Sequence, residues 1–114
     1  EMNIKKDIAR ICNDGAKMLD INLEFSDDMI NHDNNYVGKK YGAATEEGIK
    51  AMKLLAKKEG IILDPVYTSK GFAALIDYVE KGIIKKGEKV IFMFTGGSPA
   101  VFAYNEEITN NPTL

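Results

Sequence analysis

Lys89-Val-Ile-Phe-Met-Phe-Thr-Gly-Gly-Ser-Pro-Ala100 is the stretch that decides the fold class. Val90 to Phe94 is an apolar run without alternation, the pattern of a strand buried on both faces in a helix-covered parallel sheet. Gly96 and Gly97 then permit a sharp turn and a close backbone approach. Ser98-Pro99 reads as a helix start, with serine as the cap and proline at the first helical position. Strand, glycine turn and helix in succession predict an α/β fold. In open α/β sheets ligands sit beyond the carboxyl ends of the strands, so Thr95 is expected to aim its hydroxyl into a cofactor or substrate crevice.

Outward from this stretch the chain reads mostly as helices. Ile4, Ile8, Ile11, Cys12, Met18 and Leu19 recur at helical spacing and predict an amphipathic helix over residues 3–19, weakened at Gly15. Asp20 to Lys40 is polar and rich in asparagine, with room for a short strand around Met29–Ile30 or Tyr36–Val37. Thr45 caps a second helix, Glu46 and Glu47 suit its positive first turn, Ile49, Met52, Leu55 and Ala56 form its buried stripe, and Gly60 ends it. A third helix carries Phe72, Leu75, Ile76 and Val79 on one face and ends at Gly82. The tail Asn110–Leu114 is expected to fray. One clear strand does not make a sheet, so the expected turns outnumber the strands they would serve.

Composition narrows the function classes. With 114 residues the chain has room for one modest core or is a piece of something larger. A net charge of −2, with lysines alternating with acids, argues against nucleic acid and anionic membranes as partners. Cys12 is the one cysteine, which excludes an internal disulfide and suits a reducing, cytoplasmic setting; it reads as a small buried hydrophobe. His32 is the one histidine, without cysteine or histidine neighbours, so no metal site is expected. No apolar run reaches membrane-spanning length, and the charged opening Glu1–Arg10 does not read as a signal peptide.

Three segments place polar or aromatic residues beside glycines at the ends of apolar elements: Val37–Gly42, Leu63–Gly71 and Phe94–Ala100. Singly, each has a plain explanation: Tyr41 as a surface turn residue, Tyr67 as a plug under the third helix, Gly96-Gly97 as a tight turn. Together the words Tyr41-Gly42 with Thr45-Glu46-Glu47-Gly48, Glu59-Gly60-Ile61-Ile62-Leu63-Asp64-Pro65-Val66-Tyr67-Thr68, and Thr95-Gly96-Gly97-Ser98-Pro99-Ala100-Val101-Phe102-Ala103-Tyr104 resemble one known family. It is the D-cysteine desulfhydrase and 1-aminocyclopropane-1-carboxylate deaminase family of pyridoxal-phosphate enzymes, and the words match its carboxy-terminal part.

The resemblance implies part of a three-layer pyridoxal-phosphate domain of the tryptophan-synthase-β-like fold, with residues 1–114 a single carboxy-terminal segment of a larger enzyme. It implies that Tyr67 packs against the cofactor ring and that Tyr41, a second active-site tyrosine, takes part in proton transfer. Thr95 becomes the hydroxyl partner of the pyridine nitrogen, with Gly96 beside it. The deaminase branch resembles Tyr-Glu-Gly-Lys where this chain has Tyr67-Thr68-Ser69-Lys70, and it lacks a threonine before the paired glycines. Both differences point to the desulfhydrase side: α,β-elimination of D-cysteine to pyruvate, hydrogen sulfide and ammonia, in a full-length homodimer. Ser69 in place of a usual glycine, Phe94 in place of a common histidine, and Lys39-Lys40 before Tyr41 keep lyases of other β-substituted amino acids in view. The lysine of the internal aldimine and the phosphate loop belong to the amino-terminal part of the family pattern, so neither is expected in this chain, Lys70 does not match that lysine, and the segment alone should be inactive. A non-catalytic α/β module binding phosphate or a nucleotide through Thr95–Pro99 is the alternative of a different class.

Overall fold

The structure, a computed structural model, describes residues 3–110. The chain divides into two compact units, Glu1–Asn34 and Asn35–Leu114. The tail expected to fray lies, beyond Asn110, outside the described residues.

The first unit is built on helix α1, Ile4–Met18. Asn3 caps it by accepting from the Lys6 N–H at 3.3 Å, and the helix runs through Gly15 without a break. Asn13 ties down the chain that follows: its side chain donates to the Phe25 carbonyl at 2.8 Å and accepts from the Phe25 N–H at 2.7 Å. A short 3-10 turn, Asp27–Met29, stands where a strand around Met29–Ile30 was expected. The apolar stripe of α1 is mostly exposed, with only Ala9 and Ala16 buried, and Cys12 is half-buried rather than buried.

The second unit centres on α2, Glu46–Glu59, and α3, Thr68–Glu80. Thr45 caps α2 by accepting from the Gly48 N–H at 3.1 Å, and Gly60 closes it at φ 70°. The two helices meet through small residues. A methyl group on Gly48 would stand 3.1 Å from the Ser69 hydroxyl, and Ala51 and Ala73 are buried. Ile49, Met52 and Leu63 are buried apolar anchors, each worth about 1.5–3 kcal/mol over exposure. The buried part of α3 is its amino-terminal turn, Thr68–Lys70, with Ala73; Phe72, Leu75 and Ile76 are half-buried and Val79 is exposed.

The expected α/β layering is absent among the described residues, which form helices and no strand. Lys89–Phe94, read as a strand buried on both faces, is an unpaired segment in which Ile91 is 91% exposed. Its ladder needs backbone partners on both sides, and no described residue provides them. One anchor remains: Phe92 packs edge-on against Phe72, with ring centroids 5.4 Å apart. Tyr36–Val37 is likewise a turn. Ser98 begins a 3-10 helix, Ser98–Tyr104, that runs into the short α4, Asn105–Thr109. Pro99 lies in its first turn as expected, but the cap position belongs to Gly97, and Ser98 donates its hydroxyl to the Ile62 carbonyl at 2.8 Å.

Candidate functional site

The site is organised by Asp64, immediately ahead of α3. Its carboxylate is 2% exposed and accepts from the backbone of Val66 at 2.8 Å, Tyr67 at 2.7 Å and Thr68 at 2.7 Å, and from the Thr68 hydroxyl at 2.5 Å. The Thr68 hydroxyl in turn accepts from the Asp64 N–H at 2.9 Å. Donors left open at a helix start are met in this way by one anion in the favourable field of the helix dipole. Burial pushes the Asp64 carboxyl up, but the Thr68 hydroxyl and the three backbone donors outweigh it and hold the group below its ordinary value. The backbone of Tyr67 is thereby held, while its ring stays 59% exposed.

Tyr41 arrives from the loop before α2. Its phenol oxygen lies 2.5 Å from that of Tyr67, and the rings are tilted with centroids 6.1 Å apart. Two residues read 26 positions apart as site tyrosines thus share one hydrogen bond. The bond to Tyr41 first, then desolvation and the Asp64 charge, raise the Tyr67 phenol above its ordinary value. Tyr41 is 84% exposed, so the pair lies at the surface. The adjoining Gly42 carbonyl accepts a hydrogen bond from the Tyr104 hydroxyl.

The glycine turn reaches the same place by a different contact. Gly97, at φ +89°, lies so close to Asp64 that an added Cβ would stand 3.0 Å from the Asp64 Cβ. Gly96, at φ +92°, has open space where its side chain would be. Thr95, just before, is exposed. Asp64 therefore meets the Tyr67 turn through hydrogen bonds and the Thr95–Gly97 turn through packing.

The reading of the sequence named Tyr41, Tyr67, Thr95 and Gly96 and set Lys70 aside; the structure adds Asp64 and Tyr104 as residues that contact these segments. Both stand in the family words quoted above, and Asp64-Pro65 four residues ahead of Thr68 was in addition an available acceptor for the start of the helix. Lys70 is buried at the start of α3, and its ammonium donates to the Val37 carbonyl at 2.8 Å, so it is not a free amine in the site. The groove between α2 and α3, a cavity of about 650 Å³ flanked by Tyr36, Leu54, Ile76 and Asp77, has neither site tyrosine in its lining.

These features sit within a known class. Residues 4–96 match the family model described as pyridoxal-phosphate dependent enzyme, and the chain belongs to that family. Among its relatives are D-cysteine desulfhydrases of Yersinia pestis (strain Pestoides F) and Yersinia pseudotuberculosis serotype O:1b (strain IP 31758). Each is 47% identical over 75 residues, covering 66% of this chain and 23% of the relative. A solved structure of an ACC deaminase homologue superposes with a TM-score of 0.75 at 29% identity, covering 97% of this chain and 32% of the other. The chain thus spans about a quarter of the length of the curated relatives and a third of the solved one. Among the described residues, no helix is long and apolar enough to cross a membrane.

Proposed function

We propose that this chain is a segment of a pyridoxal-phosphate lyase that eliminates the β-substituent of D-cysteine, releasing pyruvate, hydrogen sulfide and ammonia. The observation that carries the reading is the Tyr41–Tyr67 phenol pair, joined at 2.5 Å and exposed on one side. The 47% identity to D-cysteine desulfhydrases supports the choice of substrate.

The residues present fit one side of the cofactor. When bound, pyridoxal phosphate supplies an electron sink for the charge left when the substrate loses its α-proton. Tyr67 offers an aromatic face, and Thr95 a neutral hydroxyl for the pyridine nitrogen. Gly96 has no described atom within 4 Å of a would-be Cβ, so the backbone there is open to close approach. Thr68 occupies the position of the deaminase-type glutamate, yet its hydroxyl is buried and spent on Asp64. That leaves Thr95 as the partner of the ring nitrogen. A neutral partner holds the nitrogen proton less firmly than a carboxylate would, which favours prompt expulsion of a good leaving group.

Tyr41 and Tyr67 do the proton work open to this chain. Two phenols sharing a hydrogen bond can pass a proton from one oxygen to the other, and the outward phenol can exchange it with a substrate amine or thiol. Lys70 is engaged with Val37, and in the family pattern the lysine that holds the cofactor and the phosphate cradle belong to a more amino-terminal part than the one this chain resembles.

The solved structure of an ACC deaminase homologue supports a second reading, ring opening of 1-aminocyclopropane-1-carboxylate. Assay of the protein from its complete reading frame separates the two: pyruvate with sulfide from D-cysteine is expected, and 2-oxobutanoate from the cyclopropane substrate instead would overturn the choice. The 114-residue chain alone, given pyridoxal phosphate and D-cysteine, should release no sulfide above the free cofactor; turnover by it would refute the division of the site.

A further inference from the structure

Lys70 is a buried charge that the proposed chemistry does not use, and its position is unfavourable by local rules. It lies in the first turn of α3, where the helix dipole opposes a cation, and it is only 8% exposed. No described carboxylate forms an ion pair with it. What it touches is the loop that carries Tyr41. The ammonium donates to the Val37 carbonyl at 2.8 Å, and a Cβ on Gly38 would stand 3.4 Å from Nζ and 3.8 Å from Cε.

The far end of the same loop is held by a second side chain. Tyr104 donates its hydroxyl to the Gly42 carbonyl, and a Cβ on Gly42 would lie 3.6 Å from that oxygen. Between these two points the backbone has turns and bends only, with Gly38 at φ +85° and Gly42 at φ +76°. Its own backbone contribution is one long turn bond across Tyr41, from the Ala43 N–H to the Lys40 carbonyl at 3.3 Å, which shapes the turn without tying it to the rest of the fold. Tyr41 is nevertheless within 2.5 Å of Tyr67.

We propose that Lys70 and Tyr104 are positioning residues: Lys70 on the Val37 carbonyl and Tyr104 on the Gly42 carbonyl clamp the loop and set the Tyr41 phenol against Tyr67. This rests on the reading of Tyr41 as a site residue given above. A cation retained against the helix dipole is explained by that task, because an ammonium makes a stronger bond to a carbonyl than a neutral donor does.

The test uses the protein from its complete reading frame, with Lys70→Met, Lys70→Arg, Tyr104→Phe and Tyr41→Phe, and two readouts. The first needs no cofactor: the ring-carbon resonances of Tyr67 in protein labelled at the tyrosine ζ carbon. Lys70→Met and Tyr104→Phe should move that signal toward its position in Tyr41→Phe, and Lys70→Arg should bring it part of the way back. A signal that stays at the wild-type position in both would overturn the proposal. The second is turnover of D-cysteine: Lys70→Met and Tyr104→Phe should each lower kcat about tenfold, as small misplacements do, and Lys70→Arg should lower it less. That loss should vanish in a Tyr41→Phe background, and an undiminished loss there would also overturn the proposal. If Lys70→Met does not fold, Tyr104→Phe alone decides by the same criteria. If Tyr41→Phe leaves turnover unchanged, the site reading fails, while the resonance still decides whether the clamp exists.

Discussion

Replacing Asp64 by asparagine keeps the shape of the side chain and converts one acceptor oxygen into a donor. Oδ1 now serves Val66 and Tyr67, and Oδ2 serves the N–H and hydroxyl of Thr68. With the amide oxygen placed on Val66 and Tyr67, the new NH2 faces the buried Thr68 N–H, donor against donor; the Thr68 hydroxyl can turn to accept. With the amide flipped, two backbone donors lose their acceptor instead. One buried donor without a partner costs about 1–3 kcal/mol. Taking about 2 kcal/mol, local opening at the start of α3 becomes roughly thirtyfold easier. Amide hydrogen exchange reads this directly at Val66, Tyr67 and Thr68. Protection there should fall by about that factor while the amides of α2 hold. A fall below about threefold, or an equal fall along α2, would refute the reasoning. The pH dependence gives a second check. A carboxyl held below its ordinary value stabilises the fold above that value, 3.8, and the contribution is lost as pH falls through the lowered value. The advantage of wild type over Asp64→Asn should therefore hold across neutral pH and close only in acid.

The glycine pair should separate by substitution. Gly97→Ala meets both backbone strain of about 1–2 kcal/mol and the Asp64 Cβ at 3.0 Å, whereas Gly96→Ala meets strain alone, so the melting temperature should fall further for Gly97→Ala. Equal losses would count against the packing of Gly97 on Asp64. Ser69 has a fully buried hydroxyl with no hydrogen-bond partner among the described residues, so Ser69→Ala should raise stability by about 1 kcal/mol; a lower denaturation midpoint would show that the hydroxyl is satisfied. Tyr41→Phe removes the chief cause of the raised Tyr67 phenol value, so spectrophotometric titration should find Tyr67 ionising at lower pH. In wild type the stabilisation from that bond is complete below the ordinary phenol value and lost as pH rises through the raised one, and this alkaline loss should be smaller in the variant, where desolvation and the Asp64 charge remain.

The helices were legible because their signals are local. Thr45 and Gly60 mark the ends of α2, since a hydroxyl cap and a left-handed glycine act within a few residues of themselves. The run Val90–Phe94 misled for the opposite reason. Its apolar pattern states what such a segment needs on both faces, but a strand exists only where other backbone groups complete its ladder. Among the described residues no strand pairs with it, and Phe92 keeps a side-chain partner in Phe72. Ser98 was overridden by a distant partner too: the Ile62 carbonyl, 36 positions earlier, takes its hydroxyl, and the cap passes to Gly97.

The candidate site could be proposed as residue types, while its connections were hidden. Tyr41 and Tyr67 could be named from their motifs, but the groups that bring their oxygens together lie on α3 and beyond the glycine turn. Asp64 shows why such connections escape a linear reading. In the sequence it stands four residues ahead of Thr68, within reach of the start of the helix that follows, and its carboxylate accepts from the backbone of Val66, Tyr67 and Thr68. Only the fold adds that Gly97, 33 positions later, packs on the same carboxylate. This second contact divides the work of the paired glycines. Gly97 must lack a side chain so that the turn can rest on Asp64, while Gly96 faces open space and is free to approach a ligand. The Thr95 turn and the Tyr67 turn then stand or fall together. A change at Asp64 that loosens the start of α3 also removes the surface on which Gly97 rests, and a bulky residue at Gly97 presses on the group that caps Tyr67.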